Sequence, residues 1–329
     1  MEKIKRLSEE INQLKEQKKA IILSHVYQRP EIQEIADFVG DSLELSRRAA
    51  ETDAEVIVFC GVHFMAESAA ILSPDKIVLL PEKNAGCPMA DMVDAESLRA
   101  RKNQMPGAVV VCYVNTSAEV KAESDIACTS ANAVRVVESI PRDRPILFIP
   151  DKNLGVYAAK KAGRENLNVW QGFCNTHDKL TVTDVQKARE EHPRAVIMAH
   201  PECRPEVVAM AEVVASTSGM LKFAGESGDK EFIICTELGI LHQFEKRCPG
   251  KKFYPGAAAG YQNLPDNQVS QEDSFPGLLT PDVSGSPTCP SYFTASIRSR
   301  LLSALTLISS GTVTLGSMFT SAEVKAESD

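Results

Sequence analysis

The sequence predicts an α/β protein: three similar α/β domains with parallel sheets, related by pseudo-threefold symmetry around a central site. The first observation behind this is an internal repeat. SHVYQRPEIQEIADFVGDS from Ser24, CYVNTSAEVKAESDIACTS from Cys112 and AHPECRPEVVAMAEVVAST from Ala199 align without a gap. His25, Tyr113 and His200 then stand 88 and 87 residues apart. Glu31, Glu119 and Glu206 keep these intervals, as do Asp37, Asp125 and Glu212, and Ser42, Ser130 and Thr217; such constancy marks a repeated structural unit. The second observation is that each segment opens on an apolar run (AIILS, AVVVCYV, AVIMA) and passes into a helical pattern, as a strand buried on both faces of a parallel sheet does. The third is the alternation that follows. A second strand (EVIVFCG, PILFIPD, EFIICTE), a helix and a third strand (KIVLLP, LNVWQG, KKFYP) recur in every unit, the pattern of parallel strands joined by crossover helices. The expected domains are residues 1–88, 89–174 and 175–255, followed by an atypical segment, 256–329.

The elements are legible in order. MEKIKRLSEEINQLKEQKKA places Ile4, Leu7, Ile11 and Leu14 at spacings of three and four, an amphipathic helix without the continuous apolar core of a signal peptide. Pro30 and Pro205 stand where the leading helices of the first and third units should begin, the one helical position that tolerates proline. In the middle unit Thr116 and Glu119 form a T-x-x-E pattern, read as a capping box. Second helices open after GDS, CTS and STS.

Composition restricts the function. A chain of 329 residues with 43% hydrophobic content can bury a large core. Its 36 basic and 44 acidic residues give a net charge of −8 with no basic stripe, which argues against a nucleic-acid partner. The most apolar late run, near residues 301–313, is short and interrupted by serine and glycine, so no membrane span is expected. Nine cysteines without a secretory signal argue against a disulfide framework. Cys60, Cys112 and Cys235 lie inside apolar strand runs and are expected to pack as small hydrophobes; Cys128, Cys203 and Cys248 lack metal-type spacing.

Ligands of doubly wound sheets bind beyond the carboxyl ends of the strands. The residues just past the first strands are His25 and Tyr27, Tyr113 and Asn115, and His200 and Glu202, which include acid–base and hydrogen-bonding groups. Ser42, Ser130 and Thr217 sit at starts of the second helices, where a hydroxyl either caps the helix or helps bind a carboxylate or phosphate. Cys87 and Cys174 end equivalent third strands, 87 residues apart. Two matched thiols without C-x-x-C pairs suit an iron–sulfur cluster better than a structural zinc. Three thiolates would leave one iron of a four-iron cluster open as a Lewis acid.

The motifs HVYQ, ADFVGDSLELSR, GVHFMAE, GCPMAD, YVNTSAEVKAESDIACTSANA, PDKNLG, WQGFCNTHD, AHPEC and STSGM together resemble the quinolinate synthase (quinolinate synthetase A protein) family, from about residue 18 to residue 255. Val26 stands where that family usually has asparagine. The resemblance implies a cytoplasmic enzyme of NAD biosynthesis with a central [4Fe-4S] cluster. It would condense iminoaspartate, supplied by aspartate oxidase, with dihydroxyacetone phosphate to give quinolinate, phosphate and water. Cys87 and Cys174 would be cluster ligands, and His25, Ser42, Tyr113, Asn115, Ser130, His200, Glu202 and Thr217 would meet iminoaspartate. Tyr27, Glu202 and His200 are the catalytic candidates, with Tyr27 and Glu202 moving protons. His177 is either a partner of this site or an ordinary helix N-terminal residue; His63 and His192 read as structural.

By the internal period a third cysteine is expected near residue 261, where the sequence reads GAAAGYQN. Cys289 in TCPSYF is the alternative third ligand, or else a solvent-facing thiol. The region after Pro255 reads as irregular, with TASIRSRLLSALTLISSG as a candidate closing helix. TSAEVKAESD occurs at residues 116–125 and again at 320–329; the first copy belongs to the repeat, and the second is expected to be non-functional. An inactive homologue that only binds a small dicarboxylate is the competing expectation.

Overall fold

The structure, a computed structural model, describes residues 2–82 and 84–257. Cys289, the candidate closing helix and the second decapeptide lie outside the described residues. The described chain divides after Cys87 into two compact units.

The first unit carries one parallel sheet of β1 (Ala20–His25), β2 (Phe38–Gly40), β3 (Val56–Cys60) and β4 (Ile77–Leu79), in the order β2-β1-β3-β4. The second unit carries two more. One is β5 (Val109–Tyr113), β6 (Ile126–Cys128), β7 (Ile146–Ile149) and β8 (Leu167–Val169), in the order β6-β5-β7-β8. The other is β9 (Val196–Ala199), β10 (Val213–Val214), β11 (Glu231–Cys235) and β12 (Lys252–Pro255), in the order β10-β9-β11-β12. One strand order therefore recurs three times, and every pairing is parallel. The expected α/β class is observed, with four strands per sheet instead of the three expected. The extra strands β2, β6 and β10 are two or three residues long, too short to show the alternation by which a strand is recognised.

The inner strands are apolar at most positions and buried at nearly every one. Each sheet nucleates its own core. Ile11 of the helix Glu2–Gln17 packs with Ile22, Val58 and Leu79 in the first. Leu98, Val110, Val120 and Leu147 cluster in the second, and Val185, Ile197, Val207 and Ile233 in the third. A fully buried Val, Leu or Ile contributes roughly 1.5–3 kcal/mol through the hydrophobic effect.

The repeat has a structural reason. Asp37 accepts a hydrogen bond from Ile22 N, Asp125 from Val110 N and Glu212 from Ile197 N, each at 2.8 Å. Each acid stands just before an edge strand and satisfies an N–H of the neighbouring strand that the short ladder does not reach. A cation on the preceding helix recurs with it, at Lys15, Lys102 and Arg189, each 87 residues from the next. Lys15 donates to Asp37 at 2.7 Å and Arg189 to Glu212 at 2.5 Å, whereas Lys102 donates to the carbonyl of Glu123 at 2.7 Å.

Pro30 and Pro205 open their helices as expected. The T-x-x-E reading is corrected: the helix Ala118–Ala122 is capped by Ser117, which accepts from Val120 N. Thr116 is buried one residue earlier and donates to the carbonyl of Tyr113 at 3.1 Å. The strand end, not the helix, takes its hydroxyl. Among the described residues the eight cysteines are all free, and no helix is long and apolar enough to cross a membrane.

Candidate functional site

In the order β2-β1-β3-β4 the connections diverge between the first and third strands of the sheet, the place where open α/β sheets leave a crevice at their carboxyl ends. In the second unit the residues leaving these strands are Tyr113 at the end of β5, Asp151 after β7, His200 and Glu202 after β9 and Thr236 after β11. They converge. Tyr113 donates its phenol hydrogen to Oε1 of Glu202 in a short contact across the two sheets. Asn153, opening the helix Lys152–Ala162, donates to the Glu202 carbonyl at 3.0 Å. Nε2 of His200 lies 3.2 Å from the Ser130 hydroxyl.

Glu202 is 3% exposed, as are His177 and His200. The second oxygen of Glu202, Oε2, lies 2.9 Å from Nδ1 of His177 and 3.9 Å from Nδ1 of His200. Burial alone would raise this carboxyl, but the neighbouring His200 and His177 and hydrogen bonds from His177 and Tyr113 outweigh it and hold the carboxyl down at about 2. Asp151 is the opposite case: burial, and then the nearby Glu202 charge, push it well above the usual carboxylate range. The backbone N–H of Glu202 points to Nδ1 of His200 at 3.4 Å, so the other nitrogen, Nε2, carries the proton of a neutral ring.

Cys174 stands at the N-cap of the helix Asn175–Lys179. Its backbone N–H donates to Asp151 Oδ2 at 3.2 Å, while Oδ1 of Asp151 accepts from Leu154 N at 2.7 Å. Gly172, bridged to Asp151, permits this approach, since a Cβ there would meet the Pro150 carbonyl oxygen at 2.5 Å. Cys174 Sγ, His177 and a Glu202 oxygen all lie within 4.8 Å of one another, a sulfur, nitrogen and oxygen set able to ligate a transition metal.

The cysteines separate as expected. Cys60, Cys112, Cys128, Cys203, Cys235 and Cys248 are buried, whereas Cys87 and Cys174 are half-buried. Burial pushes the thiols of Cys60 and Cys235 up to about 12. Two accessible thiols ending equivalent strands are the donor chemistry that an iron–sulfur cluster requires.

Of the residues singled out in the sequence, Tyr113, Ser130, His200 and Glu202 are brought together by these contacts, with Cys174 joined to them through His177. Asn115 presents a buried Oδ1 with no hydrogen-bond partner among the described residues, an acceptor suited to a ligand. Thr217 is the first residue of the helix Thr217–Glu226, whose cap is Ser216. In the first unit, Tyr27 N donates to Nδ1 of His25 at 3.3 Å and the two rings meet edge to face. Ser42 opens the helix Ser42–Glu51, whose cap is Asp41. Neither Ser42 nor Thr217 is thus a helix cap. His192 stacks on Tyr254 and His63 lies 3.7 Å from Glu67, both structural settings. Asp151, Asn153 and Thr236 were not anticipated. Their signal was position, Asp151 and Thr236 lying just beyond β7 and β11 and Asn153 opening a helix.

A family model described as "Quinolinate synthetase A protein" matches residues 9–271. The chain is similar to proteins named quinolinate synthase. That of Desulforudis audaxviator is 64% identical over 245 residues, covering 74% of this chain and 80% of the relative. That of Methanoregula boonei is 59% identical over 249 residues, covering 76% and 82%. That of Caldicellulosiruptor saccharolyticus is 56% identical over 254 residues, covering 77% and 82%.

Proposed function

The chain belongs to the quinolinate synthetase A protein family, and from that premise we propose that it condenses iminoaspartate with dihydroxyacetone phosphate to form quinolinate, phosphate and water. The observation that carries this reading is the buried Glu202 carboxylate, held ionised by Tyr113 and two histidines within reach of the Cys174 thiol. A proton acceptor and a metal-binding sulfur share one crevice, as a reaction that moves protons and expels water beside a metal needs.

In this reading Nε2–H of His200 and the hydroxyls of Ser130 and Thr217 donate to the substrate carboxylates, Tyr113 borders the substrate while its hydrogen stays on Glu202, and Asn115 supplies the acceptor it holds ready. Glu202 takes the proton released as the carbon–carbon bond forms, and Tyr27 serves the second proton transfer. His25, Tyr27 and Ser42 enter by the sequence repeat and the family resemblance. Cys87 and Cys174 would hold a [4Fe-4S] cluster, with Cys289 as the third ligand; when bound, it supplies a Lewis-acidic iron for the loss of water. Iminoaspartate is short-lived in water, so an aspartate-oxidising enzyme is the expected supplier. The three-domain, pseudo-threefold arrangement with boundaries at 88, 174 and 255 is part of the same reading, supported by the recurring strand order.

Anaerobic reconstitution with iron and sulfide, followed by iron analysis and chromatographic detection of quinolinate, tests the proposal. About four irons per chain and quinolinate formation are expected. A chain that binds a dicarboxylate but retains no iron and forms no quinolinate is the inactive homologue instead.

A further inference from the structure

Asp151 occupies a position that the proposed chemistry leaves without a role. It stands two residues beyond β7 and caps the helix Lys152–Ala162, where its Oδ1 accepts from Leu154 N at 2.7 Å. One oxygen is enough for that task, and serine, threonine or asparagine would supply it. Asp151 is nevertheless a carboxyl group with 0% exposure, which is unfavourable unless both oxygens are bonded. The second oxygen leaves the helix: Oδ2 accepts from the backbone N–H of Cys174 at 3.2 Å, 23 residues on. Asn153, on the same first turn, reaches the far side of the short helix Asn175–Lys179, its amide donating to Asp178 Oδ1 at 3.3 Å. Arg204 donates to the other oxygen of Asp178 at 3.0 Å. The carbonyl of Cys174 accepts from Asp178 N at 2.8 Å, so both fastenings act on one helical turn.

The first unit has the same corner without the carboxyl group. There the N–H of His63 donates to the carbonyl of Ala85 at 2.7 Å, as that of Lys152 donates to the carbonyl of Gly172 at 2.9 Å. Ala85 lies two residues before Cys87, and Gly172 two before Cys174. The place of Asp151 is taken by Val62, the N-cap of the helix His63–Leu72, whose side chain makes no cap hydrogen bond. The backbone pairing is common to both strand ends and needs no acid; the acid belongs to the Cys174 corner. We propose that Asp151 is the positioning residue for the Cys174 thiol, one oxygen anchored on the helix Lys152–Ala162 and the other holding the Cys174 N–H. With that N–H on Asp151 and its carbonyl on Asp178 N, the planar peptide units on both sides of Cys174 are fixed. The direction of its Cα–Cβ bond, and so the side on which the half-buried sulfur is presented, is fixed with them. What this position serves rests on the reading of Cys174 as a cluster ligand; the fastening itself is a property of the apoprotein.

The test compares Asp151→Asn and Asp151→Ser. Both keep an oxygen for Leu154 N and with it the helix cap. In the first an amide hydrogen faces the Cys174 N–H, and in the second one hydroxyl cannot serve both donors. Hydrogen exchange and thiol alkylation are measured on the full-length apoprotein. Loss of the acceptor should speed exchange of the Cys174 amide about tenfold and alkylation of its thiol by a similar factor, with Cys87 and Cys60 at parental rates. Alkylation is compared at the alkaline plateau of the rate, where the thiol is ionised throughout and the missing Asp151 charge is not what is read. After anaerobic reconstitution both variants should lose iron to a chelator about 10–100-fold faster than the parent, the usual effect of removing a group that orients a metal ligand. Parental rates at Cys174 in both variants overturn the proposal. So does an equal rise at Cys174, Cys87 and Cys60, which would make Asp151 a general stabiliser of the fold. Should neither variant fold, the parent decides: corrected for intrinsic rates, its Cys174 amide should exchange at least about tenfold more slowly than that of the exposed Gln171, and equal rates overturn the fastening. A parent chain that takes up no iron overturns the proposed function instead, and the apoprotein rates still decide the role of Asp151.

Discussion

At the end of β1 the N–H of Tyr27 donates to Nδ1 of His25 at 3.3 Å; at the end of β9 the N–H of Glu202 donates to Nδ1 of His200 at 3.4 Å. The backbone turn and histidine tautomer are the same, yet the residue two positions on is a phenol in one corner and a carboxylate in the other. The acids that precede the edge strands show the reverse. Asp37, Asp125 and Glu212 make one hydrogen bond of one length to one backbone position in all three sheets. Duplicated units have kept the groups that hold strands together and diversified the groups at the crevice, where equivalent positions can take different tasks. Structural and chemical carboxylates should therefore respond to mutation in opposite ways.

The largest effect belongs to the chemical set. Glu202→Gln keeps a side chain of the same shape but cannot accept a proton, and turnover should fall by about 10²–10⁴-fold, the usual contribution of a general base. Circular dichroism should remain that of the parent. A variant that turns over normally would make Glu202 one more structural acid and dissolve the contrast. The thiols provide the next test. In native apoprotein Cys87 and Cys174 should be alkylated at least about tenfold faster than Cys60 or Cys235, because reaction needs an accessible thiolate and burial pushes the latter two up to about 12. Peptide mass spectrometry over a time course measures the order directly, and equal rates would remove the separation between packing and ligating cysteines.

The contrast also explains what was legible in the sequence. Strands β1, β3, β5, β7, β9 and β11 announced themselves as apolar runs, because strands covered on both faces cannot be polar. The crevice residues Tyr113, Ser130, His200 and Glu202 were legible because topology places the residues after parallel strands at one edge. The edge strands β2, β6 and β10 were not, their two or three residues being shorter than a readable period. Asp37, Asp125 and Glu212 were seen to repeat, but their role was hidden, since a hydrogen bond to a backbone N–H fifteen residues earlier leaves no mark in composition. His177 stayed ambiguous for a related reason. Spacing placed it near Cys174, but the Thr236 hydroxyl that its ring meets lies 59 residues away in the chain.

Among the structural acids, Asp125→Ala should cost about 1–3 kcal/mol in urea unfolding, since Val110 N loses its acceptor in a partly buried setting. Its kinetic constants should stay within about twofold of the parent, because its partner Val110 lies at the opposite end of β5 from Tyr113. A loss of turnover larger than the loss of folded protein would mean that the two sets of carboxylates are coupled.

The smallest effect is the most discriminating about charge. Glu212→Gln retains an oxygen that can accept from Ile197 N and removes only the charge facing Arg189. Burial acts to raise the Glu212 carboxyl, but the Arg189 hydrogen bond, the Ile197 N–H and the Arg189 charge together hold it below its ordinary value. A carboxyl lowered by folding contributes stability above its unfolded value of about 4.3, and that contribution disappears as pH falls through the lower folded value. The side chain is 48% exposed, so solvent screening limits the ion pair to about 0.5 kcal/mol. The difference in unfolding free energy between parent and Glu212→Gln should be largest near neutral pH, shrink as the solution is acidified below about pH 4, and diminish in about 1 M salt. A difference independent of both pH and salt would assign the role of Glu212 to its backbone hydrogen bond alone, making it the full equivalent of Asp125.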